Sequence, residues 1–129
     1  MSDTSKNVQE WLIQAAYDLD TARFMLSGGR NIYAIFMAHL ALEKVLKAVY
    51  LHRFNDVPPK THSLMLLLQR AGIHPPDTLG EFIADLDQSS VATRYPERLL
   101  ALQTAYTNDV VVTILDRANE VMVWAKTML

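Results

Sequence analysis

The sequence predicts an all-α protein, an up-down bundle of three long helices plus two short helices placed before the last long one. Apolar residues recur at spacings of three and four over long segments, which is the period of a helix. The four glycines and five prolines are few, and most of them separate these segments. Half of the 129 residues are apolar, so one domain over residues 1–129 has enough material for a core.

The first predicted helix runs from about Ser5 to Leu26 and ends at Gly28-Gly29. Asp18 and Asp20 on this helix are interpreted as part of an ordinary solvated face. The apolar stripe that predicts the helix consists of Val8, Trp11, Leu12, Ala15, Leu19, Ala22 and Leu26.

The second predicted helix runs from about Asn31 to Phe54 and is apolar nearly all round. A helix with so little polar surface must be covered on several sides. We therefore expect it to be the central helix or to lie at a subunit interface. Asn55-Asp56 and Pro58-Pro59 end it.

Two short helices are predicted next. The first is capped by Thr61 or Ser63 and stopped by Gly72. The second follows Pro75-Pro76, with Asp77 as its N-cap, and carries its inward residues as far as Leu86.

The last long helix is predicted to begin near Thr107 as the N-cap. The β-branched run Val110–Val112 is typical of a strand, but an apolar stripe at helical spacing favours a helix. Residues 89–103 give no firm pattern, and Tyr95 should be extended because a proline follows it. The stripe consists of Val110, Ile114, Ala118, Val121, Ala125 and Met128.

Composition excludes several classes of protein. The net charge is −2, so there is no overall basic footprint for nucleic acid. Cysteine is absent, which excludes disulfides and cysteine-ligated zinc and suits a reducing compartment. The longest apolar stretch, residues 32–42, is interrupted by His39 and is too short to span a membrane. Since the N-terminus also lacks an apolar signal core, we expect a cytoplasmic protein without a membrane contact.

A line of polar residues marks the second helix. His39, Glu43 and Lys47 recur every four residues on the side that carries Phe36 and Leu46. His39 and Glu43 should therefore be buried polar residues with partners. One interpretation is structural, with a Glu43–Lys47 pair and a hydrogen-bonded core histidine. The other is a polar pocket or a dimer seam.

Two further segments are candidates for binding. His62 either helps to cap the following helix or lies in a pocket beside Lys60. Arg94 and Tyr95 precede Pro96 in a stiff loop, where an arginine can fork to phosphate or carboxylate. Their alternative role is an anchor, in which the tyrosine plugs the end of the bundle and the arginine pairs with an acid.

No phosphate loop, nucleophile elbow or metal-binding histidine pair occurs, so we predict no metal, cofactor or complete catalytic site.

Several segments together resemble the HEPN family, helical domains found in prokaryotic and higher-eukaryotic nucleotide-binding proteins. The strongest resemblance is residues 33–48, YAIFMAHLALEKVLKA, which are similar to the signature helix of that family. The other similar segments, in the family's order, are residues 11–22, residues 61–64, residues 94–96, and residues 106–124.

The resemblance implies a helical bundle that forms a homodimer. Small members are commonly encoded beside a minimal nucleotidyltransferase as a toxin–antitoxin-like pair, and others are proposed to bind nucleotides. Many active members are metal-independent ribonucleases with an Arg-x4–6-His motif assembled across the dimer. Here Arg70 and His74 have only three residues between them, and His39 stands where related sequences often carry glutamine.

Three hypotheses follow. The first is a nucleotide- or partner-binding module whose pocket residues are Lys44, Lys47, His62, Arg94 and Tyr95. The second is a ribonuclease dimer with His62 as general base and Arg94 as phosphate clamp, so RNA is a partner that the sequence does not favour. The third is a purely structural dimer. An enzyme is the less favoured interpretation because the ribonuclease motif is missing.

Overall fold

A computed structural model describes residues 3–129, and over this range the chain consists of six α-helices without a strand. The all-α bundle predicted from the sequence is confirmed. The helices are α1 (Asp3–Ser27), α2 (Asn31–Phe54), α3 (Leu64–Ala71), α4 (Asp77–Arg94), α5 (Leu99–Ala105) and α6 (Asn108–Lys126). Within the same residues, no helix is long and apolar enough to cross a membrane.

Helix α2 lies at the centre of the bundle. It packs against α1 along its length and also contacts α3, α4, α5 and α6. Buried residues therefore point in several directions around it, including Ile35, Glu43 and Ala48. This explains why its sequence shows no clear polar face.

Helix α3 starts and ends at residues that the sequence predicts as its cap and its stop. Gly72 ends α3 with φ of 68°, a left-handed conformation that glycine adopts without strain. The amide of Ile73 then donates to the carbonyl of Leu68, which closes the helix. At the start of α3, the side chain of Ser63, rather than Thr61, accepts a hydrogen bond from the amide of Leu66.

The structure corrects the prediction for the segment after Leu86. Helix α4 is a long helix that continues to Arg94. The hydroxyls of Ser89, Ser90 and Thr93, which could have favoured a loop, instead bond to carbonyls of the preceding turn within the helix. A further short helix, α5, fills part of the segment left without a prediction. Asp77 lies in the first turn of α4 and not at the cap, which is occupied by Pro76.

Two details of α6 also differ from the prediction. Its buried stripe begins with Val111 and Leu115, whereas Val110 is 41% exposed. The run of three valines hides the phase of the stripe, because any one of them satisfies the helical period. Thr107 occupies the N-cap position but makes no side-chain capping bond.

Candidate functional site

A buried hydrogen bond joins the central helix to α4. The Nε2 atom of His39, on α2, lies 3.0 Å from Oδ1 of Asp87, and the imidazole is almost fully buried. Its other nitrogen, Nδ1, has no hydrogen-bond partner among the described residues. His39 is therefore a core residue fixed through one nitrogen only.

Asp87 also holds the start of α3. Its carboxylate accepts hydrogen bonds from the backbone amides of Leu64 and Met65 at 3.0 and 3.2 Å, and from the hydroxyl of Ser63 at 3.1 Å. Burial raises the pKa of the Asp87 carboxyl, but the hydrogen bonds from His39, the two amides and Ser63 outweigh it, so the pKa is lowered below 3.8. The carboxylate is thus charged at neutral pH, and α2, α3 and α4 meet at it.

A second polar cluster lies four residues further along α2. The ammonium of Lys47 lies 3.0 Å from Oε2 of the buried Glu43 carboxylate. The Nδ1 atom of His62 lies 2.9 Å from Oε1 of the same carboxylate. The His62 side chain is 67% exposed, and its Nε2 atom makes no hydrogen bond to another of the described residues. Since an ionised carboxylate only accepts hydrogen bonds, Nδ1 carries a proton, and in the neutral form of the imidazole Nε2 presents a lone pair. This geometry, a carboxylate that orients an accessible imidazole, is suited to proton transfer.

Both lysines of the predicted pocket are held by acids. Lys44 lies 2.8 Å from Oδ2 of Asp18 on α1, and Lys47 binds Glu43 and also lies over the ring of Trp11 at 5.7 Å. Asp18 is buried, so its assignment to a solvated face is wrong. Helix periodicity gives the direction of a side chain but does not reveal a partner on the neighbouring helix.

Arg94 and Tyr95 lie at the end of α4. The guanidinium of Arg94 lies over the ring of Phe36 at 5.0 Å and makes no ion pair with a described acid. Tyr95 is 74% exposed, so it does not plug the end of the bundle. The anchor interpretation of this pair is therefore wrong in both parts, and the two side chains remain accessible for binding.

A cavity of about 510 Å³ opens between α4 and α5 beside this pair. Tyr95 and Arg98 line it, together with the polar side chains of Gln88 and Glu97. Arg98 makes no ion pair within residues 3–129, so its guanidinium is available. Apolar lining is provided by Val91, Ala92, Ala101 and Leu102.

The structure therefore divides the five predicted binding residues among three places. Lys47 and His62 share Glu43, and Lys44 is bound to α1. Arg94 and Tyr95 lie at the far end of α4, and only Tyr95 of the five lines the cavity between α4 and α5. The five residues do not share one pocket.

Asp87 and Arg98 are not among the residues predicted from the sequence. A signal for Asp87 exists, because it follows Ile83 by four residues and so lies on the apolar side of α4. A polar residue in such a stripe needs a partner, as His39 does. Arg98 has no comparable signal, since it becomes part of a cavity only through the turn between α4 and α5.

Comparison with known proteins agrees with this architecture, that of a small helical bundle with polar residues on its central helix. A family model described as the HEPN domain matches residues 8–128. The chain therefore belongs to the HEPN domain family. A comparison with curated proteins finds no match.

Two solved structures are similar over nearly their whole length. The first is TT1696 from Thermus thermophilus, with a TM-score of 0.81 and 27% identity, covering 95% of this chain and 98% of that chain. The second is ST0689, an archaeal HEPN homologue, with a TM-score of 0.74 and 26% identity, covering 94% of this chain and 96% of that chain.

Proposed function

We propose that this HEPN protein is a cytoplasmic nucleotide-binding module and that the nucleotide occupies the cavity between α4 and α5. The observation that carries the proposal is the pairing of an exposed tyrosine ring with a guanidinium free of acid partners among the described residues. Tyr95 and Arg98 both line the cavity, whose volume of about 510 Å³ lies in the range of small-molecule sites.

The side chains around the cavity suit the parts of a nucleotide. A base can stack on the Tyr95 ring, because every base has a π-face and stacking tolerates any sequence. Arg98 can fork to phosphate oxygens, with Arg94 on the adjacent turn as a second cation. Glu97 accepts hydrogen bonds from ribose hydroxyls, and the amide of Gln88 donates to and accepts from base edges.

In this proposal the two lysines do not have the phosphate-binding role that the sequence alone predicted for them. Lys44 and Lys47 are already neutralised by Asp18 and Glu43, so they stabilise the bundle and do not bind phosphate. His62 belongs to the Glu43 cluster and not to the cavity. The proposed nucleotide site is thus defined by residues 88–102.

A thermal-shift screen with ATP, GTP, their diphosphates and a short RNA tests the proposal. A ligand that binds only the folded state raises the melting temperature, and the rise grows with ligand concentration. We expect a rise with at least one nucleotide for the wild type and for Tyr95→Phe, which keeps the ring. Tyr95→Ala and Arg98→Ala should lose it.

Arg53→Ala is the matched control, since Arg53 is an exposed arginine at the other end of the bundle. It should respond to nucleotide as the wild type does. If no nucleotide shifts the wild type, or if Tyr95→Ala responds as strongly as the wild type, the cavity is not a nucleotide site.

The resemblance also suggests a protein partner, a minimal nucleotidyltransferase encoded by an adjacent reading frame in a toxin–antitoxin-like pair. Co-expression of the neighbouring product, followed by light scattering on the purified mixture, tests this part separately. A complex that survives gel filtration supports it, and independent elution of the two proteins contradicts it.

A metal-independent ribonuclease is the second candidate, and the Glu43–His62 contact is the observation that favours it. The imidazole is oriented by a buried carboxylate and its Nε2 atom is accessible, as a general base requires. However, the cation that contacts Glu43 is Lys47, and its charge is already paired there, so it cannot serve as a free phosphate clamp beside His62. The test is cleavage of a short RNA in the presence of a chelator.

In that assay, activity in the wild type that His62→Gln removes supports a ribonuclease. Intact RNA with both proteins contradicts it. A purely structural dimer, the third hypothesis, is supported only if nucleotide, RNA and the neighbouring protein all fail to bind.

A further inference from the structure

Three of the four histidines are exposed, but only one of them has its ring fixed by another side chain. The side chains of His52 and His74 make no hydrogen bond or ion pair with another described residue. The Nδ1 atom of His62, in contrast, lies 2.9 Å from Oε1 of Glu43, whose side chain is 5% exposed. The fourth histidine, His39, is buried and closed to reagents in solution. His62 is thus the exposed imidazole that has a buried carboxylate behind it.

The backbone around His62 is held in place by hydrogen bonds. The amide of Thr61 donates to the carbonyl of Pro59 at 2.9 Å, and the amide of Ser63 donates to Oγ1 of Thr61 at 3.0 Å. Ser63 is also the N-cap of α3, where its hydroxyl accepts from the amide of Leu66. The imidazole therefore has a fixed position, with Nδ1 towards the protein and Nε2 towards solvent.

We propose that His62 is a phosphoryl-acceptor site, at which Nε2 takes a phosphoryl group from a donor of the phosphoramidate class. Histidine is one of the side chains that act as nucleophiles and form covalent intermediates. Because Nδ1 carries the proton that Glu43 accepts, the neutral imidazole has its lone pair on Nε2, the accessible nitrogen. A general base uses such a lone pair to take a proton, whereas a phosphoryl acceptor uses it to form a bond to phosphorus.

The transfer balances in atoms and charge. The lone pair of Nε2 forms a bond to the phosphorus atom of phosphoramidate, whose own nitrogen is protonated. The phosphorus–nitrogen bond of the donor breaks, and its electron pair leaves with ammonia. The proton on Nδ1 stays in place, so the phosphorylated ring of His62 is an imidazolium with one positive charge. No group is oxidised or reduced in this step.

The charges around His62 favour the phosphorylated product. The positive charge that develops on the ring lies beside Oε1 of Glu43, and a hydrogen bond between two charged groups is stronger than one between neutral groups. The Lys47 ammonium holds Oε2 of the same carboxylate at 3.0 Å, so Glu43 is oriented before the reaction. Lys60, two residues before His62, is exposed and makes no ion pair with a described acid. Its ammonium is therefore available to the transferred phosphoryl group.

This inference does not rest on the proposed nucleotide site, because the cavity between α4 and α5 does not include His62. It is also separate from the ribonuclease candidate, since a phosphoryl acceptor requires no RNA. Phosphorylation changes the charge at the start of α3, so the site is suited to regulation of the protein by a phosphoryl donor.

Incubation of the full-length protein with potassium phosphoramidate tests the proposal. Peptide mass spectrometry at basic pH measures the rate at each histidine, and phosphorus NMR distinguishes the two ring-nitrogen isomers. We expect His62 to react at least about fivefold faster than His52 and His74, because the bond to a carboxylate stabilises the developing imidazolium. The product at His62 should be the Nε2 isomer alone, since Glu43 occupies Nδ1. Equal rates at the three exposed histidines, or an Nδ1 product at His62, overturns the proposal.

Two controls separate the Glu43 contact from the local sequence. In urea that unfolds the chain, His62 should react at the same rate as the other two histidines, and an advantage that survives unfolding contradicts the proposal. Glu43→Gln keeps a hydrogen-bond acceptor without the charge and should remove most of the advantage, whereas His74→Asn should leave the rate at His62 unchanged. A folded Glu43→Gln protein that is labelled at His62 as fast as the wild type also overturns the proposal. The urea comparison needs no variant, so it decides the matter even if Glu43→Gln does not fold.

Discussion

The Oδ1 atom of Asp87 lies 3.0 Å from Nε2 of His39, and the same carboxylate caps the first turn of α3. One side chain thus fixes three helices. Because a carboxylate at a helix N-terminus also interacts favourably with the helix dipole, its loss should affect more than one hydrogen bond.

We predict that Asp87→Asn lowers the free energy of unfolding by about 2–3 kcal/mol, as expected for several hydrogen bonds to a charged group that is only partly exposed. Urea denaturation followed by circular dichroism measures it. Asp85→Asn is the control, since Asp85 is an exposed acid on the same helix whose side chain makes no hydrogen bond or ion pair within the described residues. A change of less than about 0.5 kcal/mol for Asp85→Asn is expected. Equal effects of the two changes would argue against the special role of Asp87.

The dependence of stability on pH follows from the lowered pKa of Asp87. Its folded pKa is below the ordinary value of 3.8, so its stabilisation is complete above that value and is lost as the pH falls through the folded pKa. We expect the difference in unfolding free energy between wild type and Asp87→Asn to shrink as the pH falls below 3.8. Denaturation curves between about pH 7 and pH 3 measure it. A difference that grows toward low pH would contradict the assignment.

Glu43 and His62 should differ in their effect on stability, although they contact each other. Glu43→Gln leaves the poorly exposed ammonium of Lys47 without its charge partner and should cost about 3 kcal/mol. His62→Ala removes a side chain that is 67% exposed and should cost no more than about 1 kcal/mol. Urea denaturation of the two variants separates these values. The reverse order would mean that His62 holds the loop before α3.

A change at Lys44 tests whether this residue stabilises the bundle without binding nucleotide. Lys44→Ala removes the partner of buried Asp18 and should lower the free energy of unfolding by about 1–3 kcal/mol. Any nucleotide response should remain, because Lys44 lies away from the cavity. Loss of that response in a variant that is still folded would place Lys44 in the binding site.

The helix pattern was largely predictable, because the residues that end helices are local signals. Gly72 has the left-handed conformation that the sequence predicts, and Asn31–Phe54 has the predicted bounds. The length of α4 was not predictable in this way. Ser89, Ser90 and Thr93 are typical of loops, but their hydroxyls bond within the helix.

The candidate site was less predictable because it depends on distances between helices. Helix periodicity predicts inward positions for His39 and Glu43, and both are buried. It does not provide their partners, Asp87 and His62, which come from α4 and from the loop before α3. Similarly, the cavity beside Tyr95 exists only because the turn after α4 places α5 beside the last turns of α4.

Calorimetric titration measures whether Tyr95 and Arg98 form a nucleotide site. The nucleotide that raises the melting temperature most is titrated into wild type, Tyr95→Phe and Tyr95→Ala. We predict equal affinity for wild type and Tyr95→Phe within a factor of about three, and at least about tenfold weaker binding for Tyr95→Ala, since stacking contributes about 1–3 kcal/mol. Equal binding by all three proteins would show that the nucleotide does not stack on the Tyr95 ring.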